Sequence, residues 1–380
     1  MILNFKAIKL ASISLLLALT TISHVHSQDV HFSQFDRANL SVNPALVASG
    51  EQSMRYSIQV KNQWKEGLGL PYATKQASFE QKINACNKDA KHKFSYGFNL
   101  INDNAGDSRI NLNKVGTALA YTYQYVEEIS FSIGLTGAFS NRSFDISNLT
   151  WPEFWNDLGF VDYNSDTQEN FSNYAINYGT IGAGFNFYGK QSKTFNDDGT
   201  ASRQGRSSIN FGVGVFNINK PELNFYDSNN NISPIELGVR YSIYMIPIIE
   251  AGDNLDLKFK VFSQFQNTYF ESLLNGGFIY HFNQNNKGKP FSLGFSIGAR
   301  IWSLDNDPSL VTNEKKKPID SYIPEITASF KNWDFGFSFD ITKSNFELPT
   351  NRRGGPEFFL RKNIFNCIQA PPYKPNCRIF

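Results

Sequence analysis

Histidine is scarce in this chain, with five in 380 residues, and only His31, His92 and His281 lie beyond the first 27. So few imidazoles argue against a His-rich metal centre. No H-E-x-x-H pair, no phosphate-cradling glycine loop after a strand and no G-x-S-x-G elbow stands in their place. The stretches "NDNAGDS" and "NDDGT" lack the ligand spacing and closing Glu of a calcium loop, and turn chemistry explains their Asn, Asp and Gly. No nucleophile, base and orienting group can be assembled, so no enzyme activity, catalytic residue, cofactor or metal is expected. Charge is also sparse, at 18% Asp, Glu, Lys and Arg with a formal net charge of +2, which gives no electrostatic reason to expect nucleic acid. The same chain is 15% aromatic, which excludes a disordered polymer.

Long apolar runs are missing everywhere except at the start. Lys6 and Lys9, an apolar run from Leu10 to Ile22 and a polar approach to Ser27 have the three parts of a secretory signal, with cleavage expected before Gln28. That run is too short for the roughly 20 residues of a spanning helix, and Ser12, Ser14, Thr20 and Thr21 dilute it. Cysteine numbers three: Cys86, Cys367 and Cys377. In an oxidising compartment thiols tend to pair, and an odd count leaves one over. Cys367 and Cys377 flank "IQAPPYKPN", a stiff loop that could close as a disulfide; the alternative in which none is paired stays open.

What the chain does have is period-two alternation. In "EISFSIGLTGAFS" Ile129, Phe131, Ile133 and Leu135 share one face, with Ser130, Ser132, Gly134 and Thr136 on the other. "FSLGFSIGARIW" and "WDFGFSFDIT" repeat the pattern, which marks strands with two unlike faces. Fourteen such strands are predicted: 55–64, 72–83, 94–103, 111–125, 129–140, 178–188, 207–217, 235–246, 255–265, 272–282, 291–302, 322–331, 333–342 and 356–364. Most have the roughly 9–12 residues of a tilted membrane strand rather than the five or six of a soluble sheet. A water-soluble sandwich would need its Gly, Ser and Asn faces to fill a core, which such small groups cannot do at native density. Bulky rings facing lipid explain the pattern better, and lipid demands a closed sheet.

The fold expected is therefore all-β: a transmembrane antiparallel β-barrel of about 14 strands with long extracellular loops. Its organisation reads as a signal peptide over 1–27, a short periplasmic segment over 28–54, an outer-membrane barrel over 55–365 and a periplasmic tail over 366–380. The longest connections, 141–177 and 303–321, fall on the external side if the chain enters from the periplasm, and the tight ones on the other. Gly189–Arg206 breaks that trend: it is long and polar on the periplasmic side, so either the strand count slips there or the turn has a job.

Two stretches stand out as interaction candidates. The 141–177 loop carries Trp151, Phe154 and Trp155 with Asp157 and Asp162 among other rings and acids, and no Lys or Arg from Asp145 through Asn177. Aromatic anchors within one charge sign suit a protein partner; the rings could equally fold inward as a lid. The stretch "NPALVASG" reads as one capped helical turn, with Asn43 as N-cap, Pro44 at the first position and Gly50 ending it in the left-handed region. It presents Leu46 and Val47 and is expected to pack in the periplasmic mouth, partly closing it.

The start "QDVHFSQFDRANLSVNPALVASG", followed by "RYSIQVKNQW", resembles the opening of the PorP/SprF family of type IX secretion membrane proteins. Further stretches that resemble the family are "GVGVFNINKPELNF" at Gly212–Phe225, "FGFSFDITKSNFEL" at Phe335–Leu348, "GGPEFFL" at Gly354–Leu360 and the ending "NCRIF". Asn217–Pro221 departs from the usual pattern, with Asn and Ile where His and Leu are common. The resemblance implies a non-enzymatic outer-membrane barrel. Its implied partners are the type IX secretion machinery and a large secreted surface protein with a C-terminal sorting domain, such as a gliding adhesin, which it helps to export or to hold at the surface. A passive porin or solute channel is the competing reading.

Overall fold

A computed structural model describes residues 30–63, 72–83, 90–106, 109–145, 173–191, 193–195, 201–225, 235–267, 269–282, 291–303, 319–344 and 351–365. The strands in chain order are β1 Met54–Gln63, β2 Tyr72–Ile83, β3 His92–Ala105, β4 Ile110–Val126, β5 Ile129–Ser143, β6 Ala175–Lys190, β7 Lys193–Phe195, β8 Ala201–Gln204 and β9 Ser208–Phe216. They continue as β10 Arg240–Glu250, β11 Leu255–Gln266, β12 Tyr269–Phe282, β13 Phe291–Ser303, β14 Ile319–Phe330, β15 Trp333–Thr342 and β16 Arg353–Ile364. All but β7 and β8 form one closed antiparallel barrel of 14 strands, sealed where β1 pairs with β16.

Closure satisfies every strand edge, as a sheet surrounded by hydrocarbon requires. Alternation then sorts the side chains. On β5, Ile133 is 58% and Leu135 66% exposed on the outside, while Ser130 and Ser132 are buried within. Phe94, Phe98, Leu119, Phe139, Ile181, Phe295 and Phe358 continue the outward apolar belt. Among the described residues no helix is long and apolar enough to cross a membrane; the strands are the crossing elements.

Connections of unlike length define the two ends. At one, here the turn end, Glu127–Glu128 and Lys331–Asn332 make two-residue turns, with Lys331 at φ +55°. At the other, the loop end, the chain leaves β5 at Ser143 and re-enters at Ala175 of β6, and leaves β9 at Phe216 and re-enters at Arg240 of β10. The strand count does not slip at 189–206: β7 and β8 form a separate two-stranded hairpin at the turn end. One predicted strand is corrected. The alternation in "IELGV" belongs to the loop, where Glu222 bridges Glu236, and β10 begins only at Arg240.

Candidate functional site

The lumen is filled by the chain's own N-terminal segment. Residues 30–50 enter at the loop end, where Val30 packs with Leu112, Tyr178, Leu223 and Leu237. They leave at the turn end, where Ser53 joins the backbone of Ile364 just before β1 begins. The segment comprises three short helical turns, Phe35–Arg37, Asn39–Val42 and Pro44–Leu46. The "NPALVASG" turn therefore lies inside the barrel, correcting the expectation that it sits in the mouth. The reason is a row of small residues. Ala120, Gly134, Gly184, Gly214 and Ser242 lie in register across β4, β5, β6, β9 and β10. A Cβ on Gly134 would overlap the Pro44–Ala45 backbone, and one on Gly184 the Asn43 side chain.

Asn43 is the hub of this turn. Its Oδ1 accepts from Ala45 N at 2.8 Å, and its Nδ2 donates to Phe185 O at 2.8 Å and Tyr244 Oη at 3.2 Å. Pro44 opens the turn and Leu46 is buried; Gly50 ends the segment at φ +103°. Leu46 joins Phe35, Val42, Tyr244, Phe262, Leu273 and Ile323 in one apolar cluster, with Phe35 stacked on Phe262 at 4.8 Å. Ordering a residue costs about 1–2 kcal/mol, and burying an apolar side chain contributes about 1.5–3 kcal/mol. Apolar contacts alone thus barely hold a segment that is half polar.

Charged groups supply the remainder. In the loop-end half, Glu357 accepts from the backbone N–H of Ser33 at 2.7 Å and of Gln34 at 2.9 Å, and from Gln59 Nε2 at 2.7 Å. Ser33 Oγ donates to Asp340 at 2.8 Å. Arg300 bridges three carboxylates: Asp340 at 2.8 Å, Glu271 at 3.2 Å and Asp320 at 3.2 Å. Lys61 stands 3.5 Å from Asp340. In the middle of the segment, Asp36 meets Lys258 at 2.7 Å and Lys260 at 3.2 Å, and Lys260 continues to Glu325 at 2.5 Å. Nearer the turn end, Glu80 accepts from Ala48 N at 2.6 Å and pairs with Arg55 at 3.1 Å. Glu80, Glu271, Asp340 and Glu357 are essentially inaccessible. Burying such charges is tolerable only because Glu80, Glu271 and Asp340 are paired with cations and Glu357 is met by three hydrogen-bond donors.

These residues lie on the inward faces that the sequence marks by their Gly, Ser and Asn. Their signal was present: Arg55, Ser57, Gln59 and Lys61 occupy alternate positions of β1, all buried, a polar face with no solvent of its own. The candidates of the 141–177 loop, Trp151, Phe154, Trp155, Asp157 and Asp162, lie outside the described residues, as do Cys86, Cys367, Cys377, the 1–27 leader and the 366–380 tail. Among the described residues no group of His, Cys, Asp or Glu is arranged to hold a metal ion.

A family profile described as type IX secretion system membrane protein PorP/SprF matches residues 24–361. No curated protein sequence is similar enough to count as a relative. Solved structures of similar shape include the Ralstonia pickettii toluene transporter TbuX, at 9% identity and a TM-score of 0.44 over 86% of this chain and 94% of that one. BamA from Haemophilus ducreyi lacking POTRA domains 1–3 has 8% identity and a TM-score of 0.43, covering 82% and 70%. The P. putida toluene transporter TodX has 9% identity and a TM-score of 0.39, covering 86% and 93%.

Proposed function

The chain belongs to the PorP/SprF family of type IX secretion system membrane proteins, and from that premise we propose that it is a non-enzymatic outer-membrane partner in the export or surface anchoring of a large secreted protein. The client is a surface protein with a C-terminal sorting domain, such as a gliding adhesin. Residues 1–27 act as a cleaved export signal, the turn end faces the periplasm and the secretion machinery, and the loop end faces outward. There Trp151, Phe154 and Trp155, set among Asp157 and Asp162, form the contact surface for the client, and Cys367 and Cys377 close the tail as a disulfide.

The observation that carries this reading is the filled lumen. A passive solute channel needs a continuous water path, whereas residues 30–50 occupy the bore and are tied to β1, β2, β11, β15 and β16 by charged groups of the wall. The barrel then serves as a rigid base, not a conduit. The test pairs two measurements on full-length protein from detergent-solubilised outer membranes. Planar bilayers should show no steady large conductance, and the client and machinery should co-purify and be identified by mass. Replacing Trp151 and Trp155 with Ala should lower client retention while the barrel stays folded. Steady open channels in the bilayer, with no companion protein recovered, would favour the porin reading instead.

A further inference from the structure

Below the filled bore, the turn end opens into a vestibule of about 960 Å³. Its roof is the N-terminal segment, through Phe35, Val42, Leu46 and Ala48. Its wall carries small hydrogen-bonding groups, among them Ser95, Thr122, Ser130, Ser132 and Asn210. The Asn210 Oδ1 is buried with no hydrogen-bond partner. Inward-facing cations from five strands converge on this space: Arg55, Lys82, Lys93, Lys190 and Arg361.

The partners of these cations decide the field inside. Lys82 donates to the carbonyl of Gly50, Lys93 to Gln124 Oε1 at 3.4 Å and Arg361 to the carbonyl of Arg37 at 3.3 Å. Those acceptors are neutral. Direct ion pairs are made only by Arg55, on Glu80, and Lys190, on Glu51 at 3.4 Å; Glu51, 81% exposed, also lies near Lys82 and Lys93, and Glu80 and Asp334 near Arg361. Of the other lining acids, Asp36 is committed to Lys258 and Lys260 and Glu127 stands at the rim in the β4–β5 turn, so the lining cations still outnumber the acids. A low-dielectric wall carrying an excess of positive charge focuses the field on anions entering from the turn end.

We infer that this vestibule binds an acidic peptide segment presented from the turn-end side. The size of the chamber excludes a single small anion as its natural occupant, since the cations stand around the wall instead of converging on one point. The hydroxyl and amide groups between them match a peptide backbone, and the apolar roof suits one or two hydrophobic side chains. The inference is independent of the external loops, so loss of peptide binding here and loss of client retention there are separable results.

The experiment uses the full chain in detergent micelles and a fluorescent ten-residue peptide of alternating Glu and Ser with one central Leu, read by anisotropy. A Lys-for-Glu analogue and inorganic phosphate serve as comparisons. The acidic peptide should bind at least tenfold more tightly than the basic one, and Lys82→Gln with Lys93→Gln should weaken it about tenfold. The charge-reversed pair Lys82→Glu with Lys93→Glu should bind the basic peptide instead, which an unfolded variant could not do. Equal binding of the two peptides, unchanged affinity in the Gln pair, or full displacement by millimolar phosphate would overturn the assignment.

Discussion

The backbone N–H of Ser33 donates to Glu357 at 2.7 Å across 324 positions of sequence, joining the segment inside the bore to the strand that seals the barrel. Gln34 N adds a second bond to the same carboxylate at 2.9 Å. Two backbone donors on one carboxylate fix both the position and the direction of the entering segment. Replacing Glu357 with Gln removes the charge and one of two acceptor oxygens, which costs about 1–3 kcal/mol for a buried group left unmatched. Arg37 is the sole tryptic site between residues 30 and 50. Limited trypsinolysis of the folded protein should therefore cleave after Arg37 faster in the variant than in wild type.

Arg300 is the counter-charge of three carboxylates. Arg300→Leu leaves Glu271 and Asp320 without their guanidinium and Asp340 with Lys61 alone, all of them buried, and removing one partner of such a cluster costs about 3–5 kcal/mol. The heat-modifiable band on a semi-native gel should convert at a clearly lower temperature. Lys190→Gln, which breaks only the pair with exposed Glu51, should shift it by no more than the equivalent of about 1 kcal/mol.

Gly134 has no room for a side chain. Gly134→Val places methyl groups where Pro44 and Ala45 run, so either the wall bulges, at about 1–3 kcal/mol, or the segment is displaced. A spin label at Leu46 separates the two outcomes: displacement gives fast motion, whereas wild type gives an immobilised spectrum.

Removing residues 30–50 altogether should convert a closed barrel into a conducting one. The lining exposed by the deletion includes Lys61, Lys258, Lys260, Glu271, Arg300, Asp340 and Glu357. Single-channel recordings in planar bilayers should show large steps for the deletion variant and none for the intact chain.

Leu135 lies near the middle of β5 and faces outward at 66% exposure. Leu135→Arg should destabilise membrane insertion by about 2–4 kcal/mol, the cost of a cation at the bilayer midplane of such barrels. Denaturant titration in lipid vesicles measures it.

The barrel was legible in the sequence because each strand carries its own evidence. β2 and β15 have the predicted bounds, since a face of alternating rings needs nothing from elsewhere in the chain to be recognised. β10 was misjudged because "IELGV" alternates for a reason local to its loop. Of the filled lumen only a partly closing turn was legible, because the receptors for Asn43, Ser33 and Asp36 are spread over the wall one residue at a time. Even so, the separate stretches that carried the family resemblance meet in space. "FSQ" lies on Glu357 of "GGPEFFL" and on Ser338 and Asp340 of "FGFSFDIT". "GVGVF" supplies Gly212 and Gly214 against Asn43 and Val42. They are parts of one interface written in several places.

The sealing of β1 to β16 sets an order of events during biogenesis. The segment that occupies the bore leaves the ribosome before any strand, while Glu357 and Arg361 are among the last barrel residues made. Until that final hairpin arrives, the early segment has only part of its anchorage, so insertion and sealing must coincide with its capture. A chain truncated before residue 353 would lack both the seam and the clasp, and its sheet could not close.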